Sequence, residues 1–472
     1  MKTMKYFWTL CLAVAAFTFT ACSDSDSSSS SSQMKIDQIY LENIDDDNIK
    51  DRPVEFARLG QLLRIQGSGF TGVKRIYING YETYFNNALM TDNNIWVQLN
   101  SKTPVDKADD AVRNTIVLYK SEDNQLVYPF IIRASAPSIT SADNTMPKAG
   151  EIVVVSGANL QETTKVILPD GTEITDGIIS DEDGKWFTFT VPASADLTVA
   201  GSLTSEGANG TAVSPTFFND FRCFVIDFEE NGKGELGSWS ATYAPADLVD
   251  DPLNTGRGKC AMLVPEAKLA DGGIDAGGEA LYWATAGNDN PNDDWTKRMY
   301  AYIPENTPAA NVALQFDIYC PEPWDLTGQL EFSLQNNLSG KGWGSAGTKY
   351  SSQYFNTATV WVPWLNEEDG THEAWTTGER WQTITIPMTK FGNYDPTEAP
   401  DATFANICED RNAGSYRNFL AVFVNSDLEF SDDIVYKSST FNQKVYIDNI
   451  RVVSIAPISV SDFGDEDEQI TE

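Results

Sequence analysis

The sequence predicts an all-β protein built as two tandem immunoglobulin-like sandwiches followed by a larger jelly-roll-like β-sandwich. Three observations carry this reading. Aromatic and β-branched residues are abundant, with 24 Phe, 18 Tyr and 12 Trp, while Gly and Pro punctuate the chain at short intervals; that composition suits strands joined by turns. A pattern of about 85–100 residues recurs once, the period of tandem domains and too long for a solenoid. The last half then changes texture to short alternating strands rich in Trp. At 472 residues the chain exceeds one ordinary domain and suits three.

Residues 1–22 read as a secretory signal. Lys2 and Lys5 precede an apolar run from Phe7 to Phe19 that is too short to span a bilayer. It ends at Phe19-Thr20-Ala21-Cys22, which resembles a lipoprotein processing site, with Cys22 as the acylated residue. Two or more acyl chains give a stable anchor. Residues 23–33 follow as an acidic, Ser-rich tether. Their opening Ser-Asp-Ser-Asp resembles the surface-export signal of Bacteroidota lipoproteins, which implies an outer-membrane protein facing the exterior.

Residues 34–134 are expected to form the first sandwich. A strand runs through 60–66 into a Gly67-Ser68-Gly69-Phe70 turn. Residues 73–78 form an alternating strand ending at Asn79-Gly80, a hairpin signal. Strands over 95–99, 115–120 and 127–132 close the unit. Residues 135–219 repeat it: a strand over 152–156 with Gly157-Ala158-Asn159-Leu160, a hairpin over 165–171 and a Trp186 strand matching the Trp96 strand. Equal placement of Trp96 and Trp186 in the repeat assigns them to the core. These segments resemble the immunoglobulin-like, plexin, transcription factor (IPT/TIG) family. The resemblance implies spacers that hold a third domain away from the membrane.

Residues 220–457 are expected to be that third domain, and residues 458–472 an acidic tail. It opens on residues 224–229 and closes on residues 444–453, with strands over 312–319, 330–334, 381–388 and 419–424 between them. Nine of the twelve tryptophans lie here. Trp381 starts an alternating strand and reads as core. Trp283, Trp295, Trp324, Trp343, Trp361 and Trp364 are the candidate ligand platform: Trp324 sits in a Pro-rich turn, Trp343 between glycines, and Trp361 and Trp364 flank Pro363, which a central strand rarely accepts. A flat ring covers the C–H face of a pyranose while amides and carboxylates take its hydroxyls. One ring hiding ~60–80 Å² is worth about 1.5–2 kcal/mol.

Charge and motifs narrow the function. A net charge of −35 repels phosphate backbones and anionic lipid heads, which disfavours nucleic acid as a partner. A single histidine, His372, leaves little for His-based chemistry. No Gly-x-Ser-x-Gly elbow, Walker loop, His-Glu-x-x-His or single-strand carboxylate array occurs, so the expectation is a protein that is not an enzyme. Cys223, Cys260, Cys320 and Cys408 read as buried free thiols or at most one or two disulfides.

The closing strand, Trp361-Val362-Pro363-Trp364 and Trp381-Gln382-Thr383-Ile384, behind tandem IPT/TIG modules on a lipoprotein signal, together resemble the surface glycan-binding proteins of Bacteroidota polysaccharide-utilisation loci, of the type with a C-terminal xyloglucan-binding domain. The resemblance implies capture of a plant-type polysaccharide, β-glucan or xyloglucan. It implies a neighbouring outer-membrane importer and its glycan-binding lipoprotein as partners. In that family the platform includes a Trp after the central strand and aromatics on a later one, matching Trp324, Trp361 and Trp364. Related jelly rolls hold a structural Ca²⁺ between first and last strands, for which Glu229 and Asp448 are the candidates. The alternatives are a surface adhesin for host glycoprotein or protein, and a glycoside hydrolase.

Overall fold

A computed structural model of the chain describes residues 33–42, 52–229, 234, 245–263, 274–284, 295–334, 357–413 and 419–461. The signal segment, Cys22 and most of the tether lie outside these residues, as does most of the acidic tail. Among the described residues the structure is antiparallel β throughout, apart from short 3-10 turns and two helices, Trp295–Met299 and Phe404–Ala413. No helix among them is long and apolar enough to cross a membrane. The chain divides into two compact units, 1–132 and 133–472.

The first unit is a sandwich of two four-stranded sheets. One runs Arg52–Pro53, Lys35–Glu42, Leu62–Ser68, Asn94–Gln98; the other runs Tyr81–Thr83, Arg75–Ile78, Thr115–Ser121, Asn124–Pro129. The Leu62–Ser68 strand buries Leu63, Ile65 and Gly67 and turns their neighbours outward, as the period of two requires. Asn79 and Gly80 both take positive φ, +49° and +78°, which closes the predicted hairpin with the twist its strands need.

The second unit begins with the same sandwich. Its sheets run Ser138–Ala142, Ile152–Ala158, Trp186–Thr190, Ile179–Ser180, and Glu173–Ile174, Lys165–Ile167, Thr204–Gly207, Gly210–Val213. Seven strands repeat the order of the first unit, so the sequence repeat is a repeat of topology; only the short edge strand differs, Arg52–Pro53 pairing with the opening strand in the first copy and Ile179–Ser180 with the Trp186 strand in the second. It also explains the shared glycine. A Cβ at Gly67 would collide with the carbonyl oxygen of Lys35, and one at Gly157 with that of Ser138. In both copies the opening strand bulges beside that glycine.

One expectation is corrected here. Trp96 is partly exposed and Trp186 is 36% exposed. Each sits on the outward positions of its strand, while Ile95 and Val97, and Phe187 and Phe189, point inward and fill the core. Equal placement in the repeat reflects a shared outer face, not a shared core position.

The rest of the second unit is a sandwich of larger sheets. The first contains Val249–Asp250, Lys259–Met262, Tyr446–Ser454, Val312–Tyr319 and Gln382–Pro387, with Phe224–Ile226 also paired to Tyr446–Ser454. Phe224 therefore stands opposite Arg451, and the opening and closing strands meet. The second contains Gly278–Ala284, Leu420–Asn425, Gln329–Ser333 and Ala358–Trp361. Between them Phe316 lies 4.9 Å from Phe332 and 5.4 Å from Trp361, ring centre to ring centre. Every residue of Val312–Tyr319 is buried. An antiparallel strand reaches that state only when both faces are covered. One face meets this core; the other meets the immunoglobulin-like sandwich of the same unit.

Candidate functional site

The covered outer face of the first sheet carries buried polar side chains. Asp317, Arg451 and Asp448 are each 0% exposed. Arg451 donates to Asp317 Oδ1 at 2.9 Å, Thr145 Oγ1 at 2.7 Å, the Asn449 carbonyl at 2.6 Å and Gln315 Oε1 at 3.2 Å. Arg257 donates to Asp317 Oδ2 at 3.2 Å, to the Met146 carbonyl at 2.9 Å and to Glu151 at 3.4 Å. Thr145 donates its main-chain N–H to Thr383 Oγ1 at 2.9 Å, and Thr383 donates its own to the Asp143 carbonyl at 2.7 Å. Asp143 also pairs with Arg380. The loop 143–146 of the immunoglobulin-like sandwich is thus bonded into the back of the jelly roll. Burial alone would raise the Asp317 carboxyl, but Arg451 and Arg257 outweigh it and hold it below the usual value. Burial, then the Asp317 charge, push Asp448 well above its own.

This arrangement bears on the expected Ca²⁺ pair. Glu229 Oε1 accepts the Lys259 N–H at 2.9 Å, and the Asp448 oxygens accept from Asn449 at 2.8 and 3.0 Å. Among the described residues no three His, Cys, Asp or Glu stand together as a metal ligand set. Positive charge beside Asp448 comes from Arg257. Both carboxylates therefore serve as hydrogen-bond acceptors within the fold.

The candidate platform tryptophans separate into different environments. Trp324 is 0% exposed; its indole N–H donates to the Thr327 carbonyl, and its ring packs at 5.2 Å on Phe441 and 5.9 Å on Trp361. Trp295 is also fully buried, in the short helix over 295–299, with Arg411 over its ring. Trp364 is 2% exposed, donates to the Gly328 carbonyl at 3.3 Å and meets Tyr436 edge-on. These three are corrected from platform to packing. For Trp324 and Trp364 turn-forming sequence marked loops, but those loops turn the rings inward. Trp361 is partly buried at the end of its strand, against Phe316, Trp324 and Trp375. Trp283 lies in the Gly278–Ala284 strand. Trp343 lies outside the described residues. Trp381, read as core, is 0% exposed and donates to Asp251 at 3.0 Å. All four described cysteines are free and buried.

The side chain that sequence reasoning passed over is Trp375. Trp324 and Trp375 exchange both main-chain hydrogen bonds, at 2.8 and 2.9 Å. The rings of Trp324, Trp361 and Trp375 then climb outward edge to face, with planes 89° and 88° apart. Trp375 is only partly buried at the top of this ladder. It borders a cleft of about 530 Å³ that also touches Pro363, Trp364, Asn366, His372 and Glu373. His372 Nδ1 lies 2.9 Å from Asp325 Oδ1, and its ring rests edge-on against Tyr436 at 5.2 Å. In the sequence Trp361 and Trp364 marked this region, but a tryptophan count does not reveal which ring stays exposed.

Known proteins locate this architecture. The chain matches a solved surface glycan-binding protein from Prevotella bryantii with a TM-score of 0.61 and 18% identity, over 90% of this chain and 100% of that one. A surface glycan-binding protein from a complex xyloglucan utilization locus of Bacteroides uniformis matches with a TM-score of 0.43 and 18% identity, over 90% and 100%. No curated protein matches the chain. Residues 218–454, half of the 472, match the family model described as the surface glycan-binding protein B xyloglucan binding domain. They take in both sheets of the jelly roll, and the chain therefore belongs to the surface glycan-binding protein B family.

Proposed function

We propose that this chain captures a neutral plant-type polysaccharide, a β-glucan or xyloglucan, at the cell surface without cleaving it, for uptake by a neighbouring outer-membrane import system. The match of residues 218–454 to the xyloglucan binding domain carries the reading. Solved relatives point the same way: one is described with a xylogluco-oligosaccharide, and one from Bacteroides ovatus with a mixed-linkage heptasaccharide. In this reading Cys22 anchors the chain by its lipid, residues 23–33 tether it, and residues 34–134 act as a spacer. Residues 135–219 serve as a support for the 220–457 domain, given the hydrogen bonds that join Thr145 and Asp143 to Thr383. The acidic surface leaves neutral glycans unpenalised and repels acidic ones.

Affinity electrophoresis of the mature chain against xyloglucan, mixed-linkage β-glucan, laminarin, galactomannan, starch and mucin tests the reading. Retardation by xyloglucan or a β-glucan, with no reducing ends released on prolonged incubation, is expected. Retardation by mucin alone moves the chain to an adhesin, and release of reducing ends makes it a hydrolase.

A further inference from the structure

The cleft beside Trp375 has the parts that hold a sugar ring, arranged before any ligand arrives. Its apolar wall is an indole fixed from behind: two main-chain hydrogen bonds tie Trp375 to buried Trp324, and Trp361 meets it edge-on at 5.4 Å. Its polar rim stands on a closed turn. Leu365 pairs with His372, the Asn366 N–H donates to the Thr371 carbonyl at 2.8 Å, and the Glu373 N–H donates to the Trp364 carbonyl at 2.9 Å. Tyr436 braces the same turn from the side, donating its hydroxyl to the Gly370 carbonyl at 2.6 Å. With Nδ1 of His372 committed to Asp325, Nε2 is the ring nitrogen left to meet a hydroxyl. A fixed aromatic wall beside amide, imidazole and carboxylate groups matches the two-sided chemistry of a pyranose. Rigid placement spares the ordering cost that weak ligands cannot meet.

We propose that this cleft is a saccharide subsite for neutral sugar residues. The Trp375 indole covers the C–H face of one ring, and Asn366, His372 and Glu373 take its hydroxyls. The carboxylates of Glu373 and Asp325 make the rim anionic, so uronic and sulfated sugars are excluded. The subsite rests on the glycan-capture reading and refines it: it lies at the end of the Ala358–Trp361 edge strand, on Trp375, while Trp324, Trp295 and Trp364 serve as packing.

Isothermal titration of the mature chain with xyloglucan oligosaccharides, mixed-linkage gluco-oligosaccharides and polygalacturonate tests it. Trp375→Ala is expected to weaken binding of the neutral ligand about tenfold or more, the loss of one stacked ring. Trp375→Phe keeps a ring and recovers part of the affinity. Glu373→Ala removes an exposed carboxylate and is expected to lower affinity severalfold with Tm unchanged, which separates ligand loss from unfolding. Wild-type binding with Trp375→Ala and Glu373→Ala unaffected overturns the subsite and leaves glycan capture standing. Equal affinity for polygalacturonate overturns the restriction to neutral sugars. Failure of the wild-type chain to bind any neutral glycan overturns the capture reading and the subsite with it.

Discussion

Replacing Arg451 with Met tests whether the buried network joins the second immunoglobulin-like sandwich to the jelly roll. Arg451 is fully buried and donates to Asp317, Thr145, Asn449 and Gln315. Methionine fills much of the same volume but takes away the cation and its donors. Asp317 then keeps Arg257 at 3.2 Å as its remaining ionic partner, in a site buried from solvent. Breaking a buried pair by removing one member costs about 3–5 kcal/mol, because the other charge stays buried. At about 2.1 cal/mol/K per residue, a unit of this size loses roughly 4–7 °C of Tm. Differential scanning calorimetry of residues 133–472 as wild type and Arg451→Met measures it. A Tm within about 1 °C of wild type for the Arg451→Met variant would mean that the network does not hold the two sandwiches together. Residues 135–219 would then be a separable spacer.

Asp448 titrates above the ordinary aspartate value in the fold, so its contribution to stability is full in acid and is lost as pH rises through the raised value. Asp448→Asn is therefore expected to raise Tm at pH 7 and to leave it unchanged at about pH 4; a lower Tm at pH 7 would mean that the carboxylate is needed ionised, as a Ca²⁺ ligand would be. In the same experiment a chelator is expected to leave the wild-type Tm unchanged. Trp186→Ser, at a 36% exposed position, is expected to shift Tm little, whereas Phe187→Ala, in the core of the same strand, costs about 3–5 kcal/mol by chemical denaturation. Burial raises the Cys320 thiol to about 12 and pushes Cys223 and Cys260 higher still, so a chain without Cys22 is expected to react with a thiol reagent only after unfolding.

Much of the architecture follows from local pattern. The alternation around Ile65 and Ile76 places strands, Asn79-Gly80 can take the positive φ of a tight hairpin, and the recurrence of Gly67 as Gly157 marks one topology used twice. The paired ends of the jelly roll were legible in residues 224–229 and 444–453 for the same reason: a period of two over a bounded run needs no distant information.

Burial was a different matter. Sequence identifies which residues share a face of a strand, but not whether another element covers that face. Trp186 belongs to a face left open, Trp324 to a loop that closes over Phe441, and Asp317 to a face that Thr145 seals from a sandwich far away in sequence. The same blindness hid Trp375, whose partial exposure depends on a backbone pairing with Trp324 across a long stretch of chain. The strands, the repeat and the all-β class could be read from the amino-acid order, because these depend on neighbours along the chain. Which indoles pack and which one borders a cleft emerged with the folded chain, because solvent access is set by contacts between segments that the linear pattern does not connect.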